Sequence, residues 1–215
     1  MENELAYDVQ GKGHPVSDYK DDYNGEKFGF WIFLFTEGMM FGALFLIFAI
    51  YFYRNMEVFA SASSELNIWL GGINTVILLV STYTMGVASI MMRQGKTKLS
   101  AILVGITLLM AVIFLAIKAS EWSVDITQGI YPGSEILLKK DKGEILFFGL
   151  YFVMTGLHGL HIIGGIALMT WVLLLIRSGG IREDHTIVMK NVTLYWDFVH
   201  LIWIVLFPLF YMIGV

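Results

Sequence analysis

The chain has 215 residues, 57% of them hydrophobic and only 15% charged, with a formal net charge of −4. A soluble domain carries about a quarter charged residues, and here the charges cluster, leaving long tracts almost without them. That pattern excludes an ordinary soluble enzyme and predicts a polytopic membrane protein.

Residues 1–27 read as a solvated polar tail, with Lys12, Lys20, Lys27 and an acidic cluster at Asp18, Asp21 and Asp22. Residues 28–215 are expected to form a single transmembrane domain. The first apolar run, 28–53, has aromatics at both ends, which suits interfacial anchoring. It encloses one acid, Glu37, followed by Gly38 and Gly42, a spacing that lets helices approach closely. The second run, about 66–92, contains Asn74 and Thr75. The third, about 99–119, ends at Lys118, Glu121 and Trp122, all read as lying at or beyond the membrane edge. A polar loop over 123–142 carries a turn at Tyr131-Pro132-Gly133. The fourth run, 143–176, would be about 50 Å long at ~1.5 Å per residue, so it should tilt, protrude or bend near Gly164-Gly165. The fifth, about 192–215, holds Asp197, His200 and a kink candidate at Pro208. An all-α integral membrane protein follows, five transmembrane helices in one bundle.

Orientation is read from lysine and arginine. With the N-terminus inside, the inner segments carry Lys12, Lys20, Lys27, Arg93, Lys96, Lys98, Arg177, Arg182 and Lys190, against Arg54, Lys118, Lys139, Lys140 and Lys142 outside. The excess favours an inside N-terminus and an outside C-terminus. No cleavable signal or transit pattern precedes the first run. Zero cysteines exclude disulfides, thiolate metal sites and cysteine nucleophiles. Phosphate loops, nucleophile elbows and dinucleotide fingerprints are absent, and nothing points to nucleic acid.

Five polar residues stand inside apolar runs: Glu37, His158, His161, Asp197 and His200. Helical rise puts them near the inner half of the bundle, as one expected polar layer. His158 and His161, three apart, share a helix face, and Asp197 and His200 have the spacing to pair. Three readings compete for the layer. A metal or haem site would need ligands with supporting partners around an open cavity. The Glu-x-x-His pairs of di-metal bundles are missing. A proton relay has the right residue types. A structural or lipid-contacting polar seam needs nothing further and is the favoured reading.

Several strings, in order, resemble subunit III of the haem–copper terminal oxidases. FWIFLFTEGMMF at 30–41 is similar to that family's first glutamate-bearing helix, placing Glu37 on its intramembrane glutamate. Asn74-Thr75 with the Ile77–Leu79 stretch and Ser81 resembles its Asn-Thr segment, and Ala119-Ser120-Glu121-Trp122 its helix end. TGLHGLHI at 155–162 looks like its most recognisable string, with His158 and His161 on the two histidines. YWDFVHLIW at 195–203, containing Trp196, resembles its closing motif with acid and histidine exchanged, Asp197 standing for a histidine and His200 for an acid.

The resemblance implies the five-helix bacterial form of an accessory subunit in the cytoplasmic membrane. Such a subunit carries no haem or copper of its own, both expected in partner subunits, and holds phospholipid. Its implied partners are the catalytic subunit I, subunit II, a small subunit IV and membrane lipids. The implied role is support of oxygen reduction and proton uptake by subunit I of a proton-pumping respiratory oxidase. The lipid-binding or proton-related seam would be Glu37, His158, His161, Asp197 and His200, with Asn74, Thr75, Glu121 and Trp196 as further motif positions. The alternatives are a subunit of a quinol oxidase, an accessory protein of a nitric oxide reductase, and a free-standing b-type cytochrome using His158, His161 and His200.

Overall fold

The structure, a computed structural model, describes residues 5–7, 13–179 and 187–214. Two short strands, β1 (Leu5–Tyr7) and β2 (Gly13–Pro15), pair antiparallel with Leu5 opposite Pro15. Six helices follow: α1 (Val16–Arg54), α2 (Met56–Ser64), α3 (Ile68–Arg93), α4 (Thr97–Thr127), α5 (Lys142–Ser178) and α6 (Ile187–Tyr211). Five stretches are long and apolar enough to cross a membrane: Gly25–Arg54 within α1, and α3, α4, α5 and α6. The five-helix expectation is met, and the chain is a multi-pass membrane protein.

Burial follows helical stripes. In α4 the buried residues are Ser100, Val104, Thr107, Ala111, Phe114, Lys118, Glu121 and Asp125. They alternate steps of four and three, the seam that keeps one face against neighbouring helices. In α1 only Leu34, Phe41 and Phe48 are buried after Gly25, one residue every seven. α3 packs on α4 and α6, and α5 packs on the same two, so these four make the bundle while α1 lies along its edge against α5 and α6. Hydroxyls on α3 serve the packing. Trp196 Nε1 donates to Ser81 Oγ at 3.1 Å, and Trp203 Nε1 to Thr75 Oγ1 at 3.0 Å. Such interhelical bonds contribute about 0.6 kcal/mol each in membrane bundles.

α5 runs unbroken through Gly164 and Gly165, so the pair does not interrupt the helix. Gly165 instead admits α6: a Cβ there would lie 2.8 Å from the Trp196 ring. Gly165→Ala should therefore destabilise the chain by about 1–3 kcal/mol through overpacking. Gly159→Ala, which meets nothing within 4 Å, should be neutral or slightly stabilising. Denaturant unfolding of the two variants in mixed micelles separates them. α6 likewise continues through Pro208 to its last turn.

The third helix differs most from expectation. α4 extends to Thr127, carrying Lys118 and Glu121 within the helix rather than at its end. α2, which no apolar run announced, is held by Phe59, whose ring meets Phe48 at 5.5 Å and Phe147 at 5.4 Å. Ser63 Oγ also donates to the Phe210 carbonyl at 2.6 Å. The expected turn at Tyr131-Pro132-Gly133 forms: Ser134 N–H reaches Tyr131 O at 3.1 Å, and Gly133 has φ +90°. A positive φ after proline is what a type II turn demands of its third residue.

Lys140 ties this loop to two helices, at 3.0 Å from Glu65 and 2.7 Å from Glu144. Partial burial pulls the ammonium pKa down, but the hydrogen bonds to Glu144 and Glu65 outweigh it and hold it above the usual lysine value. A raised lysine pKa gives stability that is complete below the unfolded value of ~10.4 and lost as pH climbs through the folded one. Subtilisin nicking of the loop should thus be equally slow at pH 8 and 9.5, and rise only past about pH 10.4. Lys140→Met should nick readily already at pH 8.

Candidate functional site

α1 and α5 bring together two of the five expected residues. Glu37 Oε2 lies 2.9 Å from His161 Nε2, with both side chains largely covered, 20% and 14% exposed. His161 Nδ1 lies 2.8 Å from the Leu157 carbonyl, and Tyr195 OH donates to the carbonyl of His161 at 3.1 Å. The Phe41 ring closes the other side, edge-on at 5.2 Å. A carbonyl only accepts, so Nδ1 carries a proton. Nε2 and Glu37 then share the remaining one, as imidazolium with carboxylate or as neutral imidazole with carboxylic acid. The pair is neutral overall in both forms, which limits its desolvation cost. One proton can therefore move between Nε2 and Oε2 without changing the charge of the site.

His158 goes elsewhere. Three helical steps leave it about 60° round from His161, enough to place it on the buried stripe of α5. Its ring stacks on Trp203 with centroids 5.2 Å apart and meets the edge of Phe114 at 5.8 Å. Neither ring nitrogen has a protein partner. The two histidines thus face different neighbours and do not act as a ligand pair. His200 is buried with Nε2 unpartnered, while Asp197 is half-buried. Among the described residues no hydrogen bond or ion pair joins Asp197 to His200, so the pairing expected from their spacing does not form. Asn74 is fully buried with both amide atoms unpartnered. Among the described residues no three histidine or carboxylate side chains converge as metal ligands.

The densest polar cluster was not anticipated. Lys118 is 3% exposed and Glu121 5%. The Lys118 ammonium donates to Glu121 Oε2 at 3.2 Å, Tyr151 OH at 2.8 Å and Tyr211 OH at 2.5 Å. Both tyrosines pass their own proton to Glu121 Oε1, at 2.9 Å and 2.5 Å. All three ammonium protons and both hydroxyl protons are used, so the network closes on itself. It joins α4, α5 and α6. The ammonium also lies 5.7 Å from the Trp203 ring, the same ring that stacks on His158. Asp125, one turn further along α4, has its Oδ2 buried and unpartnered. A signal for Lys118 was present: it continues the four-and-three spacing of Ser100, Val104, Thr107, Ala111 and Phe114.

Comparison with known proteins agrees with this architecture. The profile of the family described as cytochrome c oxidase subunit III matches residues 17–215. A probable quinol oxidase subunit 3 of Staphylococcus saprophyticus is 31% identical over 192 residues, covering 89% of this chain and 90% of the relative. The cytochrome bo(3) ubiquinol oxidase subunit 3 of Pseudomonas aeruginosa is 26% identical over 212 residues, covering 99% and 96%. A probable quinol oxidase subunit 3 of Staphylococcus aureus is 31% identical over 191 residues, covering 87% and 89%. With a profile match across nearly its whole length and five membrane-capable helices beneath it, the chain belongs to the cytochrome c oxidase subunit III family of the haem–copper oxidases.

Proposed function

We propose that the chain is a non-catalytic subunit of a proton-pumping respiratory oxidase whose electron donor is a quinol. Near full-length similarity to subunits named for quinol oxidases supports the donor, in preference to the cytochrome c that the family's own description suggests. The catalytic subunit I, which carries haem and copper, subunit II and a small subunit IV are its partners in a bacterial cytoplasmic membrane. The N-terminus is inside. Burial of Lys118 removes one cation from the outer count and leaves nine basic residues against four, which favours that orientation further.

The observation that carries the functional part is the Glu37–His161 pair, a neutral site able to move one proton, set where the edge helix α1 meets the bundle. It supports proton uptake by the catalytic subunit, while His158, Asp197 and His200, which stand apart from it, steady the helices and bound phospholipid. Isolating the complex through a tag on this chain tests the reading. Haem and copper should co-purify, and oxygen consumption should run on a quinol and not on reduced cytochrome c. Turnover on cytochrome c alone overturns the donor. A chain that purifies alone overturns the subunit role, and one that then shows a Soret band at stoichiometric haem is a b-type cytochrome.

A further inference from the structure

Asp197 is an acid in a membrane-capable helix, half-buried, and nothing in this chain answers its charge. Among the described residues no hydrogen bond or ion pair reaches its carboxyl. Helical rise puts it about 15 Å into α6, well below either membrane surface. It lies on the open flank of the helix. Leu194, Asp197, Leu201 and Ile204 follow at steps of three and four and so share a face, where Leu201 is 56% exposed and Ile204 49%. That flank is the floor of a groove. α6 packs on both α1 and α3, which make no contact with each other among the described residues. Where α6 begins, the groove deepens into a half-open cavity of about 390 Å³, bordered by Trp31 of α1, Ser89 of α3 and Leu194 of α6. The walls leave room further along. Gly42 shares the face of Trp31 on α1, and Gly86 that of Ser89 on α3; a Cβ at either would meet nothing within 4 Å.

A carboxyl at hydrocarbon depth is costly unless a cation or donor meets it. An acyl chain offers neither, and lipid headgroups stand at the surface, out of reach. Protein is what remains, and glycine-bearing walls are the kind that let a helix approach closely. We propose that the groove between α1 and α3 receives a transmembrane helix of a neighbouring subunit, one that presents a lysine or arginine to Asp197. The pairing rests on the subunit role proposed above, and it names the face that docks and the charge that meets it. Asp197 stands where the family's closing motif carries a histidine, so the cation belongs opposite this chain's acid and not throughout the family.

The test uses the purified complex, captured through this chain. Leu201, one turn from Asp197 on the same flank, is replaced by photoreactive benzoylphenylalanine, and the adducts formed on irradiation are sequenced by mass spectrometry. The expected adduct is a transmembrane segment of another subunit with a lysine or arginine within about one turn of the cross-link. Asp197→Leu should speed loss of that subunit in detergent about 30-fold, as removal of one member of a covered charge pair does, whereas Asp197→Glu should retain it. Asp197→Lys should release it, and an aspartate in place of the partner's cation should then restore retention. Unfolding of the isolated full chain in mixed micelles separates docking from folding: Asp197→Leu should be at least as stable as the wild type, since the acid has no partner there. A marked loss of stability in that variant would make Asp197 a structural residue of this chain and overturns the inference. Adducts with lipid alone, or unchanged retention in Asp197→Leu, overturn it too and leave the subunit role standing. A chain that purifies with no other subunit overturns both.

Discussion

Lys118→Met should destabilise the folded chain by about 3–5 kcal/mol, the cost of leaving one member of a buried ion pair without the other. The methionine fills the space of the lysine stem but strands Glu121 between two tyrosine hydroxyls in a site with almost no solvent access. Glu121→Gln should also destabilise, since Lys118 then loses its counter-charge, though the amide oxygen still accepts from Tyr151 and Tyr211. The double variant, Lys118→Met with Glu121→Gln, should be more stable than the two single losses added together, because neither charge remains. Denaturant unfolding in mixed micelles measures all three, and the coupling should exceed about 1 kcal/mol, as in directly bonded groups. Additive losses would mean that the two side chains do not act as a unit. Lys142→Met, at an exposed position, is the control and should shift stability by less than about 0.5 kcal/mol.

The second large effect concerns the proton-sharing pair. His161→Leu should cost about 1–3 kcal/mol, because it removes the partner of a mostly covered carboxylate. Glu37→Gln should cost less than about 1 kcal/mol, since the amide can still hydrogen-bond Nε2. The two therefore separate stability from function. If the pair supports proton uptake, the complex carrying Glu37→Gln should assemble in normal yield and yet lose proton uptake during turnover. Full proton uptake in that variant would leave the pair a structural contact only. Difference infrared spectroscopy gives an independent readout: a carboxyl or carboxylate band that is present in the wild type should vanish in Glu37→Gln.

Much of the architecture was legible in the chain. Five apolar runs became five helices, since a span of hydrocarbon length without charge has no other stable partner than lipid or another helix. The turn at Tyr131-Pro132-Gly133 was legible because proline fixes its own φ and glycine readily takes the positive φ the next position needs. Helix ends were less so. The third run was ended at about residue 119 because charged residues begin there in the hydropathy pattern, whereas the four-and-three spacing through Phe114 carries the helix further. α2 was invisible because nine residues are too short a run to stand out, and tertiary contacts of the buried Phe59 and Ser63 anchor it.

The site residues divide on the same principle. Periodicity and hydropathy along the chain are enough to place Glu37, His158, His161, Asp197 and His200 inside a membrane bundle. They do not say which neighbour each side chain meets, because a step of three residues leaves two side chains about 60° apart, and that angle decides everything in a crowded core. The packing of α1 against α5 gives His161 an acid, while the packing of α4 and α6 gives His158 two aromatic rings. The same packing turns Lys118, in sequence one more basic residue near a helix end, into the centre of a closed network. Composition and pattern are properties of one strand of chain; a partner for a buried charge exists only once separate helices have been brought together.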